Sequence, residues 1–332
     1  MTSLSAPTLA DVAAHAGVSL ATASRALHPS ARTVRPELKQ RVEAAAVELG
    51  YSVNAQAQAV ARGSNNTVAL VVGDIADPYF ASIAAGVMDV AKLRGLIVTI
   101  ATLPHDNQPD AQQLEAETLT ALRAQRPRAV LFASSRDATA DWSAFEAINQ
   151  LAIIGPEAPG LRSVVVGNHE GAADLARTLS EIGYSDFAIV AGPAELSTVR
   201  DRVAGFASIA PGATVHNQSF SRDGGYEATA DLLASGRRPE CVFAVTDVMA
   251  IGAISAIRDA GLTPGIDVAV AGFDDIPLLR DVSPRLTTVA LPLDRIGASA
   301  LELALDNDGE MPSSVTVSGH VLLRESTPGL RR

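Results

Sequence analysis

The sequence lacks several features by which whole classes of protein are identified. Its 332 residues include one cysteine, Cys241, so a disulfide within the chain and a cysteine-based metal cluster are both excluded. No uninterrupted apolar run reaches the roughly 18 residues that a membrane-spanning helix requires. The first residues, MTSLSAPTLADVAAHAG, lack the basic region and the apolar core of a secretory signal peptide. We therefore expect a cytoplasmic protein with no membrane contact.

The motifs of common enzymes are also missing. The first predicted strand continues as VVGDIADPYF, without the glycine fingerprint of a dinucleotide-binding fold. The sequence has neither the glycine-rich GKS or GKT loop that binds phosphate nor the GxSxG turn of serine hydrolases. The six histidines are dispersed without the spacing of metal ligands. We therefore expect no catalysis, no cofactor and no metal site.

Charge is distributed unevenly along the chain. The formal net charge is -11, yet residues 1–64 carry six basic and four acidic side chains. The remaining residues carry 20 basic and 33 acidic side chains. Because phosphate attracts a basic surface and repels an acidic one, this division is compatible with a nucleic-acid-binding head on an acidic body.

The N-terminal 50 residues have the pattern of three short helices. Thr8 and Ser19 are placed to cap the first two helices, and Gly17 lies between these helices. A third helix begins near Pro36 and repeats apolar residues at the spacing of one helical face. Helices this short are stable only when they pack on one another. The pattern predicts a helix-turn-helix module.

The rest of the chain begins with a polar, alanine-rich linker, NAQAQAVARGSNN, whose helix would be conditional. From Val68 onward, short β-rich runs such as VALVVG and LIVTIA alternate with amphipathic helical stretches. A second series of the same kind starts at SVVV. Alternation of this kind predicts parallel sheets with helices on both faces. The fold class is therefore an all-α head followed by two doubly wound α/β units.

Seven segments appear in one order between Thr8 and about Thr327: TLADVAAHAGVSLATASRAL, VRPELKQRVEAAAVELGY, VALVVGDIADPYF, RVAGF, TDVMAIGAI, VAVAGFDDIPL and SPRLTTV. Together they resemble the lac repressor (LacI/GalR) family of bacterial transcription regulators. The resemblance implies a DNA-binding head at residues 1–50, a hinge helix and linker at 51–66, and an effector-binding and dimerisation core at 67–332.

The resemblance also implies that the core has two subdomains of the periplasmic-binding-protein type, which clamp an effector between them. We assign residues 67–161 and 291–319 to the N-subdomain. Residues 162–290 and 320–332 are assigned to the C-subdomain.

The second helix of such a head lies in the major groove, with its first residues toward the base edges. By resemblance, the base-reading positions are occupied by Leu20, Ala21 and Arg25. Among these, only Arg25 can form a bidentate contact with guanine, worth about 1–3 kcal/mol of discrimination. Four hydroxyl residues are suited to phosphate contacts, namely Thr8, Ser19, Thr22 and Ser24. For Thr8 and Ser19 we expect helix capping as well, and the alternative for Arg25 is a solvated surface position.

By resemblance, the segment that starts at Asn54 folds into a hinge helix on operator DNA and inserts an apolar side chain, usually leucine, into the minor groove. In this chain Val60 occupies the wedge position. Valine is one methylene shorter, which removes about 0.8 kcal/mol of apolar burial against a kinking cost of a few kcal/mol. We expect Asn54 and Val60 to contact DNA with a weaker wedge. The alternative is a flexible linker and an unkinked complex.

Open α/β sheets bind ligands beyond the carboxyl ends of their strands, and two facing sheets form a clamp. The loops after the strands and the resemblance together give eight candidate effector-binding residues: Asp77, Tyr79, Phe80, Ser135, Arg202, Phe220, Thr246 and Asp274. Asp247 is interpreted mainly as a helix N-cap, and Asp275 as a solvated neighbour of Asp274.

Three of these candidates have purely structural alternatives. Asp77 could only cap the following helix, Arg202 could form an interdomain salt bridge, and Phe220 could pack in the core. The chain also reads Gly167-Asn168 where the family usually has an Asp-Asn pair. One acidic contact to a polyol is therefore missing, which makes a standard hexose effector less secure.

The function expected from these residues and motifs is that of a dimeric transcription regulator, specifically a repressor. Its affinity for double-stranded operator DNA would be controlled by a small polar metabolite, a sugar or sugar derivative, bound between the core subdomains. Its partners would be the operator, the effector and a second copy of the chain. The alternative is a periplasmic-type sugar-binding transport component, which would require export.

Overall fold

The structure divides the chain into two compact units, Met1–Asn65 and Asn66–Arg332. It is a computed structural model that describes residues 7–27, 34–51, 65–103, 111–133, 148, 150–306 and 313–330.

The described residues of the first unit form three helices, α1 (Leu9–His15), α2 (Leu20–Leu27) and α3 (Pro36–Glu48). Gly17 has a φ of 61°, a conformation that glycine adopts at little steric cost, and so allows the chain to turn between α1 and α2. The helices share a core in which alanine predominates: Val12, Ala13, Ala16, Ala23, Ala26, Val42, Ala45 and Ala46. The predicted helix-turn-helix head is confirmed.

In the described residues of the second unit, twelve strands and seven helices alternate over most of the length. In chain order these are β1 (Thr67–Val72), α4 (Pro78–Leu93), β2 (Ile97–Thr102), α5 (Ala111–Gln125), β3 (Ala129–Ala133), β4 (Leu151–Gly155), β5 (Arg162–Val166), α6 (Asn168–Glu181), β6 (Phe187–Ala191), α7 (Ser197–Ile209), β7 (Thr214–Asn217), α8 (Arg222–Ala234), β8 (Cys241–Ala244), α9 (Asp247–Asp259), β9 (Ala269–Asp274), β10 (Thr287–Ala290), α10 (Leu293–Leu305), β11 (Ser314–Val317) and β12 (His320–Leu322). A short 3-10 helix, Pro277–Asp281, follows β9.

The strands form two six-stranded sheets. The first has the order β11-β5-β4-β3-β1-β2 and is entirely parallel, with Thr67 opposite Ile97 at the start of the β1-β2 pair. The second has the order β12-β10-β9-β8-β6-β7 and is parallel except for β12, which pairs antiparallel with β10. Inner strands such as β3, β6 and β9 are buried throughout, as expected for sheets covered by helices on both faces.

Each sheet and its helices form one lobe. In lobe 1, α10 packs against α4 and against strands of the first sheet. In lobe 2, α6 packs against α7, and α8 packs against α9, around the second sheet. The predicted two doubly wound units are therefore confirmed. Strand β5 pairs with β4 in the first sheet, so lobe 1 continues to Val166 and beyond the boundary that we placed after residue 161. The VVV run of β5 has no feature that indicates which sheet it joins.

The chain crosses between the lobes three times. The crossings follow β5, follow β10, and separate β11 from β12. They lie side by side, because the Gly167 N–H donates to Val317 O at 2.9 Å and a Cβ on Gly319 would lie 2.9 Å from Ala290 O. One edge of the boundary between the two lobes is therefore formed by three neighbouring chain segments.

Helices α4 and α10 cross in backbone contact, and two glycines permit this. A Cβ on Gly86 would lie 1.8 Å from Asp294 O, and a Cβ on Gly297 would lie 2.0 Å from Ile83 O. These neighbours are helix backbone atoms, which cannot move away like the end of a flexible side chain.

We expect Gly297→Ala to destabilise the core by about 2 kcal/mol or more, because overpacking outweighs the gain of up to about 1 kcal/mol in helix propensity. The midpoint of urea unfolding measures this. Gly212→Ala is the control, since a Cβ there has no atom within 4 Å. Equal stability of the two variants would contradict the close crossing.

Candidate functional site

The start of α1 is fixed by a reciprocal cap between Thr8 and Asp11. The Asp11 carboxylate accepts hydrogen bonds from the Thr8 N–H at 2.8 Å and from the Thr8 hydroxyl at 2.7 Å. The Asp11 N–H donates back to Thr8 Oγ1 at 3.3 Å. The hydrogen bonds from Thr8 lower the pKa of the exposed Asp11 carboxyl. Thr8 is thus a helix cap, and its phosphate contact remains a prediction.

The start of α2 is organised by two hydroxyl residues. Ser19 Oγ accepts a hydrogen bond from the Thr22 N–H at 3.2 Å and lies 2.8 Å from Thr22 Oγ1. This arrangement holds both hydroxyls next to the first N–H groups of α2, a position that favours an anion. The cap therefore also prepares this end of the helix for phosphate.

The predicted base-reading residues share the outward face of α2. Leu20, Ala21 and Arg25 are exposed, whereas Ala23 and Ala26 face the core and Ser24 is half-buried. The Arg25 Nε donates to Ala21 O at 3.0 Å, so the guanidinium lies along this exposed face. The helix thus presents one long cation beside small and apolar side chains. Asn54, Val60 and Ser135 lie outside the described residues.

In lobe 1, the candidate residues Asp77, Tyr79 and Phe80 lie where β1 leads into α4. Asp77 Oδ1 accepts a hydrogen bond from the Tyr79 N–H at 2.9 Å and caps α4, which is the structural alternative considered for it. Burial raises the pKa of Asp77. The rings of Tyr79 and Phe80 meet edge to face with centroids 5.2 Å apart. Both half-buried rings form one wall beside the carboxyl end of the sheet.

Arg202, on α7, lies at the floor of lobe 2 and is only 1% exposed. Its Nε donates to Asn168 Oδ1 at 2.8 Å, its Nη1 to Val245 O at 2.7 Å and its Nη2 to Asp274 Oδ1 at 2.7 Å. The guanidinium carbon also lies 3.8 Å from the centroid of the Phe273 ring. Arg202 therefore joins three segments of one lobe. Its ion pair lies within lobe 2, so it is not the interdomain salt bridge considered for this residue, and its contact with an effector remains a prediction.

Asp274 ends β9 and begins a strained turn. Asp274 has a φ of 117° and Asp275 a φ of 57°, and residues other than glycine rarely adopt such values, at a cost of about 1–3 kcal/mol each. Burial raises the pKa of Asp274, and the guanidinium of Arg202 opposes this shift. The turn places the Asp274 carboxylate beside Arg202.

Thr246 is the N-cap of α9, a role that we assigned to Asp247. Thr246 Oγ1 accepts a hydrogen bond from the Met249 N–H at 3.3 Å. The fully buried Asp247 carboxylate instead accepts from the Thr288 hydroxyl at 2.7 Å and from the Ile276 N–H at 3.0 Å. Burial raises the pKa of Asp247 well above its usual value, and the nearby Asp274 adds to the shift. The cap is one residue earlier because Thr246 has the extended backbone that a cap requires.

Asp275 is also placed differently from our expectation of a solvated carboxylate. Its Oδ1 forms an ion pair with Arg324 Nη1 at 2.7 Å, and both side chains are about three-quarters buried. Asn168, which we had considered only as part of a missing acidic pair, is a direct partner of Arg202. These partners are far apart in the sequence, and no local pattern indicates that they meet.

Phe220 precedes α8 and is half-buried against the core of lobe 2. A Cβ on Gly192 would lie 2.5 Å from a ring carbon of Phe220, so the ring packs directly over the backbone that follows β6. One face of the ring therefore packs in the core, which is the alternative that we considered for this residue. The other face remains a candidate wall for a ligand.

The two lobes meet near these residues. Burial raises the pKa of Tyr79, and its next largest influences come from Asp274 and Arg202, which belong to lobe 2. The 3-10 helix after β9 also packs against α4. The structure thus brings Asp77 and Tyr79 toward Arg202 and Asp274, the arrangement expected of a clamp.

Lobe 1 also has an exposed apolar face around α4 and the edge strand β2. Leu93 is 88% exposed and Ile97 is 64% exposed. Ile75, Met88 and Ile100 are exposed on the same elements or beside them. Exposed apolar side chains are typical of an interaction surface where they lie next to one another, as Leu93 at the end of α4 and Ile97 at the start of β2 do in the sequence.

Two further findings concern the described residues alone. They contain no helix that is long and apolar enough to cross a bilayer, and no group of three or more metal-ligating side chains. Cys241 is buried, and burial raises the pKa of its thiol. The thiol is therefore not activated as a nucleophile.

Comparison with protein families gives two matches. Residues 8–54 match the family described as bacterial regulatory proteins, lacI family. Residues 176–327 match the periplasmic binding protein-like domain. The first match covers the head and the second covers most of lobe 2.

Three similar proteins illustrate the relationship. The transcriptional regulator GalR of Salmonella typhimurium LT2 is 31% identical over 92% of this chain and 91% of its own length. The transcriptional repressor CytR of Escherichia coli K12 is 32% identical over 91% of this chain and 89% of its own. The crystal structure of the lac repressor dimer bound to operator and the anti-inducer ONPF has a TM-score of 0.84 with 24% identity, and covers 97% of this chain and 99% of that one.

The relatives are transcription regulators, and an enzyme or a transport component lacking a regulatory head would not share the match at residues 8–54. Because identity above 30% extends over nine-tenths of the chain, the protein belongs to the LacI family of bacterial regulatory proteins and is a DNA-binding transcription regulator.

Proposed function

We propose that this protein is a dimeric, cytoplasmic repressor. Its affinity for operator DNA depends on a small uncharged polar molecule, such as a sugar, bound between its lobes. The observation that carries the proposal is the presence in one chain of an exposed α2 face bearing Arg25 and a buried polar cleft floor formed by Arg202 and Asp274. The repressor CytR supports this interpretation by its similarity over nine-tenths of the chain.

For the DNA complex, we propose that α2 enters the major groove with Leu20, Ala21 and Arg25 toward the bases. Arg25 supplies the sequence discrimination, because a guanidinium can donate two parallel hydrogen bonds to guanine. The hydroxyl side chains at the starts of α1 and α2 bind phosphates and fix the register: Thr8, Ser19, Thr22 and Ser24. In the segment that links head and core, Asn54 and Val60 contact the minor groove, with Val60 as a short wedge.

For the effector, we propose that Asp77 and Thr246 accept or donate hydrogen bonds to hydroxyl groups, while Asp274 faces the ligand from beside Arg202. Tyr79, Phe80 and Phe220 form the apolar walls, and Ser135 supplies a further hydroxyl. The charge of Arg202 is matched by Asp274 at 2.7 Å, which leaves the Asp77 carboxylate without an equally close cation among the ion pairs of the described residues. This balance favours ligands rich in hydrogen-bond donors and disfavours anions.

For assembly, we propose that the apolar face of α4 and β2 is the lobe 1 part of a two-fold dimer interface. A two-fold axis gives two heads that read a near-palindromic operator. Effector binding shifts lobe 1 against its twin across this face and changes the order of the hinge segments. A ligand can do so only through different affinities for the two states, typically a coupling of about 1–3 kcal/mol.

Operator selectivity is expected to depend on Arg25. The operator is first selected from random duplexes with the purified protein, and affinities for it and for unrelated DNA are then compared by fluorescence anisotropy. Arg25→Ala should reduce the ratio of specific to non-specific affinity by about 5- to 150-fold, equivalent to about 1–3 kcal/mol. Lys39→Ala removes the same charge from exposed α3 and should leave the ratio nearly unchanged. If both variants lowered this ratio equally, Arg25 would contribute only its positive charge and no sequence discrimination.

Ligand charge is expected to be selected by Asp77. A thermal-shift and calorimetry panel would pair neutral sugars and nucleosides with their uronic acids or phosphates. We expect neutral members to bind about tenfold more tightly than their anionic counterparts, and Asp77→Asn to narrow this difference. Asp74→Asn is the control for the loss of a carboxylate charge in the same loop, because Asp74 is exposed and its side chain accepts a hydrogen bond from the Ala76 N–H. Arg202 is unsuitable for this test, since its removal leaves Asp274 buried and unpaired. Tighter binding of an anion than of its neutral partner would contradict the charge argument.

Dimer formation is expected to depend on the apolar face of lobe 1. Leu93→Asp should raise the dimer dissociation constant by about thirty-fold, equivalent to about 2 kcal/mol, as measured by sedimentation equilibrium. Ile266→Asp places the same charge at a lobe 2 position that is 80% exposed, and it should leave the dimer intact. A Leu93→Asp variant that dimerises as well as Ile266→Asp would move the interface elsewhere.

A further inference from the structure

The turn that follows β9 is built in a way that local sequence does not explain. Asp274 and Asp275 are consecutive residues with positive φ, 117° and 57°, and neither is glycine. A strained backbone persists only where surrounding contacts hold it, and such positions cluster at functional sites. The contacts that hold this turn are therefore part of the site that it forms.

Each residue of the turn has its own anchor. Arg202 Nη2 donates to Asp274 Oδ1 at 2.7 Å, and the Ile276 N–H donates to Asp247 Oδ2 at 3.0 Å. Between these two, the Asp275 carboxylate forms an ion pair with Arg324, with Oδ1 2.7 Å from Nη1. Arg202 lies on α7 and Asp247 at the start of α9, whereas Arg324 comes from the C-terminal segment after β12.

Arg324 is itself held in place. Its Nη1 also donates to Leu286 O at 3.1 Å, and its backbone N–H donates to Thr287 Oγ1 at 2.8 Å. The side chains of Arg324 and Asp275 are 25% and 27% exposed, so the pair is partly shielded from water. The pair is thus better placed to constrain the backbone than a mobile surface ion pair.

Charge gives Arg324 a second effect on the turn. Three carboxyl groups, of Asp247, Asp274 and Asp275, come together here, and the nearby carboxylates of Asp274 and Asp275 both raise the pKa of Asp247. Arg202 faces the first side of this cluster and Arg324 faces the other. Without Arg324, the Asp275 carboxylate would repel its neighbours, and the turn would lose the contact that draws Asp275 away from them.

We propose that Arg324 is a positioning residue for the effector cleft: by pairing with Asp275 it holds the strained turn and so keeps the Asp274 carboxylate against Arg202. Arg324 does not touch the ligand. The consequence for ligand affinity rests on the proposed function, whereas the consequence for the turn does not.

Crystal structures of the ligand-free full chain test the geometric part. In Arg324→Gln we expect Asp275 to relax to negative φ and the Asp274 carboxylate to move out of hydrogen-bond distance of Arg202. In Arg324→Lys, which keeps the charge, we expect the turn to be retained. A turn that is unchanged in Arg324→Gln overturns the proposal. If Arg324→Gln does not fold, Arg324→Met, which keeps an unbranched side chain without the charge, is crystallised in its place, and a native turn in that variant overturns the proposal equally.

A glycine substitution separates positioning from general stability. Glycine adopts positive φ without strain. Asp275→Gly combined with Arg324→Gln should therefore recover the position of Asp274 that Arg324→Gln loses. A double variant in which Asp274 stays displaced shows that holding the strained turn is not the role of Arg324.

Binding measurements test the functional part. With the tightest neutral compound from the panel, Arg324→Gln should weaken binding about tenfold while operator affinity without ligand stays within twofold of wild type, and the glycine double variant should restore binding. The control is Glu325→Gln, at the residue next to Arg324. It breaks an exposed ion pair with Arg285 and should change neither ligand affinity nor operator affinity. Equal ligand affinity in Arg324→Gln and wild type overturns the proposal. If the wild-type protein showed no operator selectivity, this would instead count against the proposed function. The crystallographic result on the turn would still stand.

Discussion

The ligand cleft depends on one buried cation. Arg202 reaches it from α7 and joins the start of α6, the segment after β8 and the end of β9 through Asn168, Val245 O and Asp274. Removing a guanidinium from water is costly unless its hydrogen bonds are replaced, and here three of its nitrogens donate to protein oxygens while Phe273 lies against its face. The charge of Arg202 is therefore balanced within lobe 2 itself, before the proposed effector binds.

This balance limits what the family resemblance alone suggested for Arg202. An arginine at the floor of a sugar site could equally serve an acidic ligand, and from sequence both possibilities were open. The carboxylate at 2.7 Å from Arg202 and the carboxyl of Asp77 on the facing lobe favour hydroxyl groups instead. The specificity that we propose thus rests on how the charges are paired, which a count of charged residues does not reveal.

Local signals predicted the fold well, and long-range partners were beyond them. Gly17, the apolar spacing in α3 and the regular alternation of β-rich and helical runs were sufficient for the head and for both sheets, because these elements depend on neighbouring residues. The sheet that β5 joins, the partner of Asp275 and the partners of Arg202 depend on segments far away in the chain. The cap of α9 shows the same limit at short range, since Thr246 and Asp247 are both good capping residues and only the backbone geometry distinguishes them.

The three neighbouring crossings at Gly167, after Ala290 and at Gly319 have a mechanical consequence. Two bodies joined along one edge by several parallel connections can swing about that edge but resist sliding and twisting. The motion of lobe 1 relative to lobe 2 is therefore described by essentially one rotation angle. A ligand that contacts both lobes far from this edge acts with a long lever arm about it. A small gain in contacts there therefore suffices to rotate one lobe against the other.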